Sequence, residues 1–281
     1  MATLKELKIR RKSVTSTKKV TSSMKMIAAS RLRKSQDNMM KARPYSNKLR
    51  EVVSSLLSSD IQSEHLFLKK FDSDKKLYVV ITSDRGLCGG FNSNIIKEFK
   101  RNYRIGTDDV IAVGNKIIQR LTKDNFEIKN SYKDAFQRFD FGLAKSIGSD
   151  LKYYYSTGQY SSVILIYNSF VNAVSQSVTS DEILPAVISV GSKISTEFIV
   201  EPEVEVILED LFPRYINTLI WRALLESYAS ENAARMNAMD SATDNAEQMI
   251  ASLTLQINKA RQAAITNEIA EIVGGSSAIQ N

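Results

Sequence analysis

"LESYASENAARMNAMDSATDNAEQMIASLTLQINKARQAA", residues 225–264, decides the fold. Leu225, Ala229, Asn232, Met236, Met239, Thr243, Ala246, Ile250, Leu253, Ile257, Ala260 and Ala264 recur in alternating steps of four and three, uninterrupted by Gly or Pro. That spacing keeps one stripe of a helix facing a partner and predicts a left-handed coiled coil. Ala and Thr on the stripe let another backbone come close. They also bury little area, and at about 25 cal/mol per Å² of apolar surface such a seam holds weakly. A helix from about Glu209 to Val273 would run roughly 95 Å at 1.5 Å per residue, so part of it should project from any globular body. Gly274 and Gly275 are the expected stop.

The other end of the chain follows the same alternation through Val14, Thr17, Thr21, Met24, Ala28, Arg31 and Ser35, again small or polar. Thr3, with Glu6 three residues on, reads as a capping box. Pro44 should kink or bend this helix, with a second apolar stretch (Leu49, Val52, Val53, Leu56, Leu57) beyond it before the Ser-rich "SSLLSSDIQSE" ends it. Two long helices with thin apolar seams gain most by pairing antiparallel, with a compact middle section returning the chain. Charge favours the pairing. Residues 1–50 carry fifteen Lys or Arg against Glu6 and Asp37, whereas residues 201–281 carry twelve acids against five bases. Each exposed contact contributes a few tenths of a kcal/mol.

Between the ends, strand and helix patterns alternate. "KKLYVVITS" (75–83) and "DDVIAVG" (108–114) read as buried strands. "SNIIKEFKRNYR" (93–104), "NKIIQRLTK" (115–123) and 139–158 read as helices, and 161–185 as two strands around Asn168–Ser169. The order implies a mostly parallel sheet covered by helices. Residues 188–210 read as an edge strand leading into the last helix. The expected fold is α/β: a long antiparallel coiled coil (helices in 1–58 and 208–281) plus a Rossmann-like α/β domain over 75–190.

Strand, glycine loop and helix also open many nucleotide sites, and "TSDRGLCGGFN" (82–92) sits at such a junction. A Walker loop needs G-x-x-x-x-G-K-[ST], whose amides cradle phosphate while lysine neutralises it; a dinucleotide loop needs G-x-G-x-x-G. Gly86, Gly89 and Gly90 match neither, so they are expected to allow a tight turn and close helix–sheet packing. His65 is the only histidine, which leaves no His-based triad or cluster; it reads as a surface residue. Cys88, the only cysteine, excludes an internal disulfide and reads as a small buried apolar residue. Asp108 and Asp109 read as turn or cap residues. No catalytic residue, cofactor or metal site is expected. No run approaches the ~18 apolar residues of a membrane span. "MATLKELKIRRKS" has charge but no apolar signal core, so no secretory leader is expected.

Three stretches, "SVTSTKKVTSSMKMIAASRLRKSQ" (13–36), "ITSDRGLCGGFN" (81–92) and "ARMNAMDSATDNAEQMIASLTLQINKARQAAITNEIAEIVGG" (234–275), together resemble the gamma subunit of F-type ATP synthase, the central-stalk rotor. The resemblance implies a shaft of paired terminal helices inside a hexamer of alternating alpha and beta subunits. The α/β domain would sit below with the epsilon subunit and the membrane c-ring. Proton-driven rotation of the ring would turn the shaft and force the beta sites through different affinities. It further implies a non-catalytic subunit with nucleotide bound elsewhere, peripheral on the cytoplasmic face of a bacterial inner membrane, or on the matrix side if organellar. Matched by motif, Arg261, Gln262, Thr266 and Glu268 in "KARQAAITNEI" would contact a beta loop. Met24 would lie near beta's acidic lever with Lys25 beside it, although Met24 is equally a seam residue; for Arg261 the competing reading is a solvated arginine. "EIVGGSSAIQN" would sit in an apolar bearing.

Two other classes compete. A nucleic-acid-binding coiled coil would use the basic first 50 residues, but aromatics are absent from residues 1–44 and no base-reading module is present. A stand-alone nucleotide enzyme would need the phosphate loop that the glycine spacing lacks. The expected partners are therefore protein subunits, with neither nucleic acid nor a direct small-molecule substrate.

Overall fold

The computed structural model describes residues 3–58, 65–137, 139–186 and 204–279. Its contacts divide the chain into two units, one of Met1–Ile27 with Met236–Asn281, the other of Ala28–Arg235. Two helices contribute to both: α1 (Leu4–Ser58) and α5 (Val204–Ile279). The capping box forms at the head of α1, where the Thr3 amide donates to Glu6 Oε2 at 2.8 Å and the Glu6 amide to Thr3 Oγ1 at 3.3 Å. Neither Pro44 in α1 nor Pro213 in α5 ends its helix. Gly274 and Gly275 do not stop α5, which continues to Ile279. Glycine permits a left-handed cap but does not impose one. Of the strand expected over 188–210, residues up to 203 lie outside the described residues, and 204–210 begin α5.

In the first unit the helices run antiparallel, as the descending register shows. Leu7 packs with Leu253 and Ile257, Lys18 pairs with Glu247 at 3.0 Å, the Thr21 and Thr243 hydroxyls meet at 2.8 Å, and Lys25 pairs with Asp240 at 2.5 Å. The basic helix thus faces the acidic one. Met239, Ala246, Leu253 and Ile257 are buried as the spacing predicts, Ala260 is half-buried and Ala264 is exposed. The seam ends there because α1 begins at Leu4, opposite residues near 257. Thr17, placed on the seam by spacing, is exposed.

Among the described residues of the second unit five strands, β1 (Lys76–Ile81), β2 (Asp109–Val113), β3 (Asn130–Tyr132), β4 (Ser162–Phe170) and β5 (Gln176–Leu184), form one sheet in the order β3-β2-β1-β4-β5. All neighbours are parallel except β4 and β5. That pair turns at residues 171–175, not at Asn168–Ser169, which lie inside β4. Alternation along β1 makes two cores. Tyr78 and Val80 face α2 (Phe91–Asn102) and α3 (Asn115–Lys123) through Ile95, Phe99, Ile117 and Leu121. Leu77, Val79 and Ile81 face α4 (Phe141–Ser156), together with Leu49, Val53 and Leu56 of α1 and Leu208, Phe212 and Ile216 of α5. Asp140 caps α4 by accepting from the Gly142 and Leu143 amides at 2.8 and 3.3 Å.

Other expectations change here. Arg31 is exposed, and the buried residue at that level of α1 is Leu32, since an arginine head stays in water where a leucine can take its place. His65 is half-buried, not a surface residue: its ring stacks on Phe212 at 4.5 Å, and burial lowers its pKa.

Candidate functional site

Arg261, Gln262, Thr266 and Glu268 lie on α5 beyond the end of the seam, and all four are exposed. At about 100° per residue, Arg261 and Glu268 share one line along the helix and Gln262 and Thr266 another. Ile265, Ile269 and Ile272 project between these lines, with 48%, 56% and 71% of their surface in water. The Thr266 hydroxyl donates to the Gln262 carbonyl at 2.9 Å. The result is an apolar stripe edged by a guanidinium, an amide and a carboxylate, a composition suited to a protein partner. Met24 and Lys25 are not brought to this face. Met24 is half-buried, and Lys25 is held by Asp240, 21 residues before Arg261, about 30 Å away at 1.5 Å per residue.

The glycine loop is built differently from a phosphate cradle. Ser83 Oγ donates to the Arg85 carbonyl at 2.6 Å and accepts from Asn92 Nδ2 at 2.7 Å. Asn92 Nδ2 also lies 3.2 Å from the Cys88 sulfur. Cys88 is buried, as expected, and burial raises its pKa. Gly89 takes φ 57° and, unusually for a leucine, exposed Leu87 takes φ 63°. The loop turns the carbonyls of Arg85 and Gly86 toward Arg235 of α5, whose Nη2 donates to them at 3.4 and 3.3 Å and to Glu231 Oε1 at 2.6 Å. These are acceptors aimed at a cation, the opposite polarity to amides aimed at an anion.

Sequence reading missed this role for Arg235. It flanks the seam residue Met236, and an arginine four residues after Glu231 was a visible signal. Asp108 closes the turn before β2, as expected, whereas Asp109 lies in β2 itself and is neither a turn nor a cap residue. Asp108 accepts from the Lys76 and Arg104 amides at 3.0 and 2.8 Å, and Asp109 from Tyr160 at 2.6 Å and Lys75 at 2.8 Å.

Comparison with known proteins decides the family. A family model described as ATP synthase matches residues 3–279. The ATP synthase gamma chain of Chlorobaculum parvum is 40% identical over 291 residues, with all of both chains covered. The chain belongs to the ATP synthase gamma-chain family. The gamma chain of Chloroherpeton thalassium is 41% identical over 301 residues, covering all of this chain and 99% of its own. Among solved structures, a chain of the Tetrahymena thermophila mitochondrial ATP synthase central stalk and c-ring shares 32% identity at a TM-score of 0.62, covering 79% of this chain and 99% of that one. A chain from the Euglena gracilis mitochondrial ATP synthase, at 21% identity and TM-score 0.70 with 97% and 94% covered, shares the fold. A central-stalk subunit of an F-type ATP synthase is the assignment that follows for this gamma-chain relative. No helix among the described residues is long and apolar enough to cross a membrane.

Proposed function

We propose that the chain is the rotating shaft of the F1 sector, coupling rotation of a membrane c-ring to the conformational cycle of three beta sites. It is itself non-catalytic and is peripheral to the membrane. The observation that carries this is the exposed stretch of α5 beyond the seam. From Arg261 to Ile272 the helix presents a mixed apolar and polar face to water. A lone exposed helical face of this kind is costly unless a partner encloses it. The alpha and beta subunits are the proposed enclosure, with epsilon and the c-ring meeting the rest of the chain. A shaft acts through contacts that differ between states, and a strongly adhesive surface would hold it at one angle.

Within this function Arg261, Gln262, Thr266 and Glu268 contact a beta loop. A guanidinium fork and an amide can bond carboxylates there. Met24 and Lys25 are proposed to pass beta's acidic lever, with Lys25 partly neutralised by Asp240. The test is reconstitution with alpha and beta subunits. Arg261→Ala or Gln262→Ala should lower ATP hydrolysis by the complex severalfold while leaving the melting temperature of the free chain unchanged. Equal and small effects on both would contradict the assignment.

A further inference from the structure

We infer that Arg235 and Glu231 form a latch that fixes loop 83–90 against α5, and that this latch is what keeps the Cys88 thiol closed to solvent. Arg235 and Glu231 are 8% and 5% exposed, one turn apart on α5, and their ion pair is 2.6 Å. The pair does more than neutralise itself. The Nη2 that meets Glu231 also donates to the carbonyls of Arg85 and Gly86, in a loop 149 and 150 residues away in sequence. Those carbonyls belong to a stretch that carries two left-handed residues, Leu87 and Gly89. A leucine at φ 63° persists only when its surroundings over-determine it, and the two hydrogen bonds donated from α5 act with that from Ser83 Oγ to hold the chain just before it.

Cys88 follows directly, 2% exposed, its sulfur 3.2 Å from Asn92 Nδ2 and 3.9 Å from Ser83 Oγ. Ser83 in turn holds the Arg85 carbonyl at 2.6 Å. Cys88 packs with Tyr78, Val80, Phe91 and Ile95, and the residues just before it, Arg85 and Gly86, are bonded to α5 through Arg235, so loosening that segment loosens the chain that carries the sulfur. Arg235 is a positioning residue: it makes the loop after β1 and this part of α5 one body, with Leu87 displayed outward in a single pose. The inference stands independently of the shaft assignment, because its readout needs no partner subunit.

The experiment is labelling of the full chain with 5,5′-dithiobis(2-nitrobenzoic acid), which reports one site because the sequence holds one cysteine. Replacing Arg235 alone strands a buried carboxylate and can unfold the chain, so the informative variant is Glu231→Leu with Arg235→Met, which removes both charges and keeps the volume. We expect labelling at least tenfold faster than wild type, with a rate that depends weakly on urea, the signature of a local opening. Arg235→Lys, which keeps the charge but loses the fork, should label at an intermediate rate. An unchanged rate in the double variant overturns the inference. So does acceleration with the steep urea dependence of global unfolding, which would make the pair an ordinary stabiliser of the fold.

Discussion

Lys25 Nζ meets Asp240 Oδ1 at 2.5 Å, joining the basic and the acidic helix at one level of the antiparallel pair. Both side chains are nearly half exposed, at 43% and 48%. Water and salt therefore screen the pair. Asp240→Asn should cost less than about 1 kcal/mol of stability. The loss should shrink between low and 1 M salt, as measured by denaturant titration. A larger, salt-independent loss would mean that the pair is sealed from solvent.

One turn away, the Thr243 hydroxyl donates to that of Thr21, which is itself tied to the Lys18 carbonyl at 3.1 Å. Thr243→Val should destabilise the pair by about 1 kcal/mol, because it leaves Thr21 without that donor. The double variant Thr21→Val with Thr243→Val should be closer to wild type than the sum of the singles, since two methyls replace two hydroxyls across the seam. Strict additivity in thermal unfolding would refute the coupling.

Gly114 takes φ 94°, and a Cβ there would stand 2.1 Å from the Thr82 carbonyl oxygen. That oxygen is backbone at the end of β1 and cannot move aside cheaply. Gly114→Ala should cost about 3 kcal/mol or more, combining left-handed strain with the clash. Circular dichroism melting checks it, and a loss under about 1 kcal/mol would contradict the geometry.

Asp109 is pushed up by burial, but hydrogen bonds from Lys75 and Tyr160 and the nearby Lys129 charge outweigh this and leave its pKa below the usual aspartate value. The folded form therefore binds fewer protons than the unfolded one across that interval. The stabilisation is present above the ordinary aspartate pKa of 3.8 and fades as pH falls through the lowered folded value. Asp109→Asn should flatten the acid limb of stability against pH below about 4. An unchanged limb in acid unfolding would reassign it to other carboxylates.

Burial separates the two parts of the far end of α5. Ile257 is 6% exposed against Leu7, whereas Ile265 is 48% exposed. Ile257→Ala should lower stability by about 2 kcal/mol, and Ile265→Ala should change it by less than about 0.5 kcal/mol. Hydrolysis by the assembled complex should reverse the order, since Ile265 faces outward on the proposed contact surface. Matching effects in both assays would remove Ile265 from that surface.

The alternation of apolar residues made the architecture readable. Leu253 and Ile257 on one helix, and Leu77, Val79 and Ile81 on one strand, mark their faces without ambiguity. Short or polar features carried too little signal. β3 is only Asn130–Tyr132 and joins the sheet through backbone pairing with β2, which composition does not encode. Small residues blurred the α1 seam, so the spacing chose Arg31 where Leu32 is buried. His65 depends on Phe212, far along the chain, for its burial, and local polarity concealed that. At the candidate site, motif and chemistry named Arg261, Gln262, Thr266 and Glu268. The interleaved isoleucines emerged only when the end of the α1 partnership showed them exposed.

One core joins Leu49 and Val53 of α1, the strands β1, β2 and β4, and Leu208, Phe212 and Ile216 of α5. Translation delivers these pieces in order, so Leu77, Val79 and Ile81 leave the ribosome more than 100 residues before the helix that covers them. During synthesis that side of the sheet is a greasy, half-dressed surface.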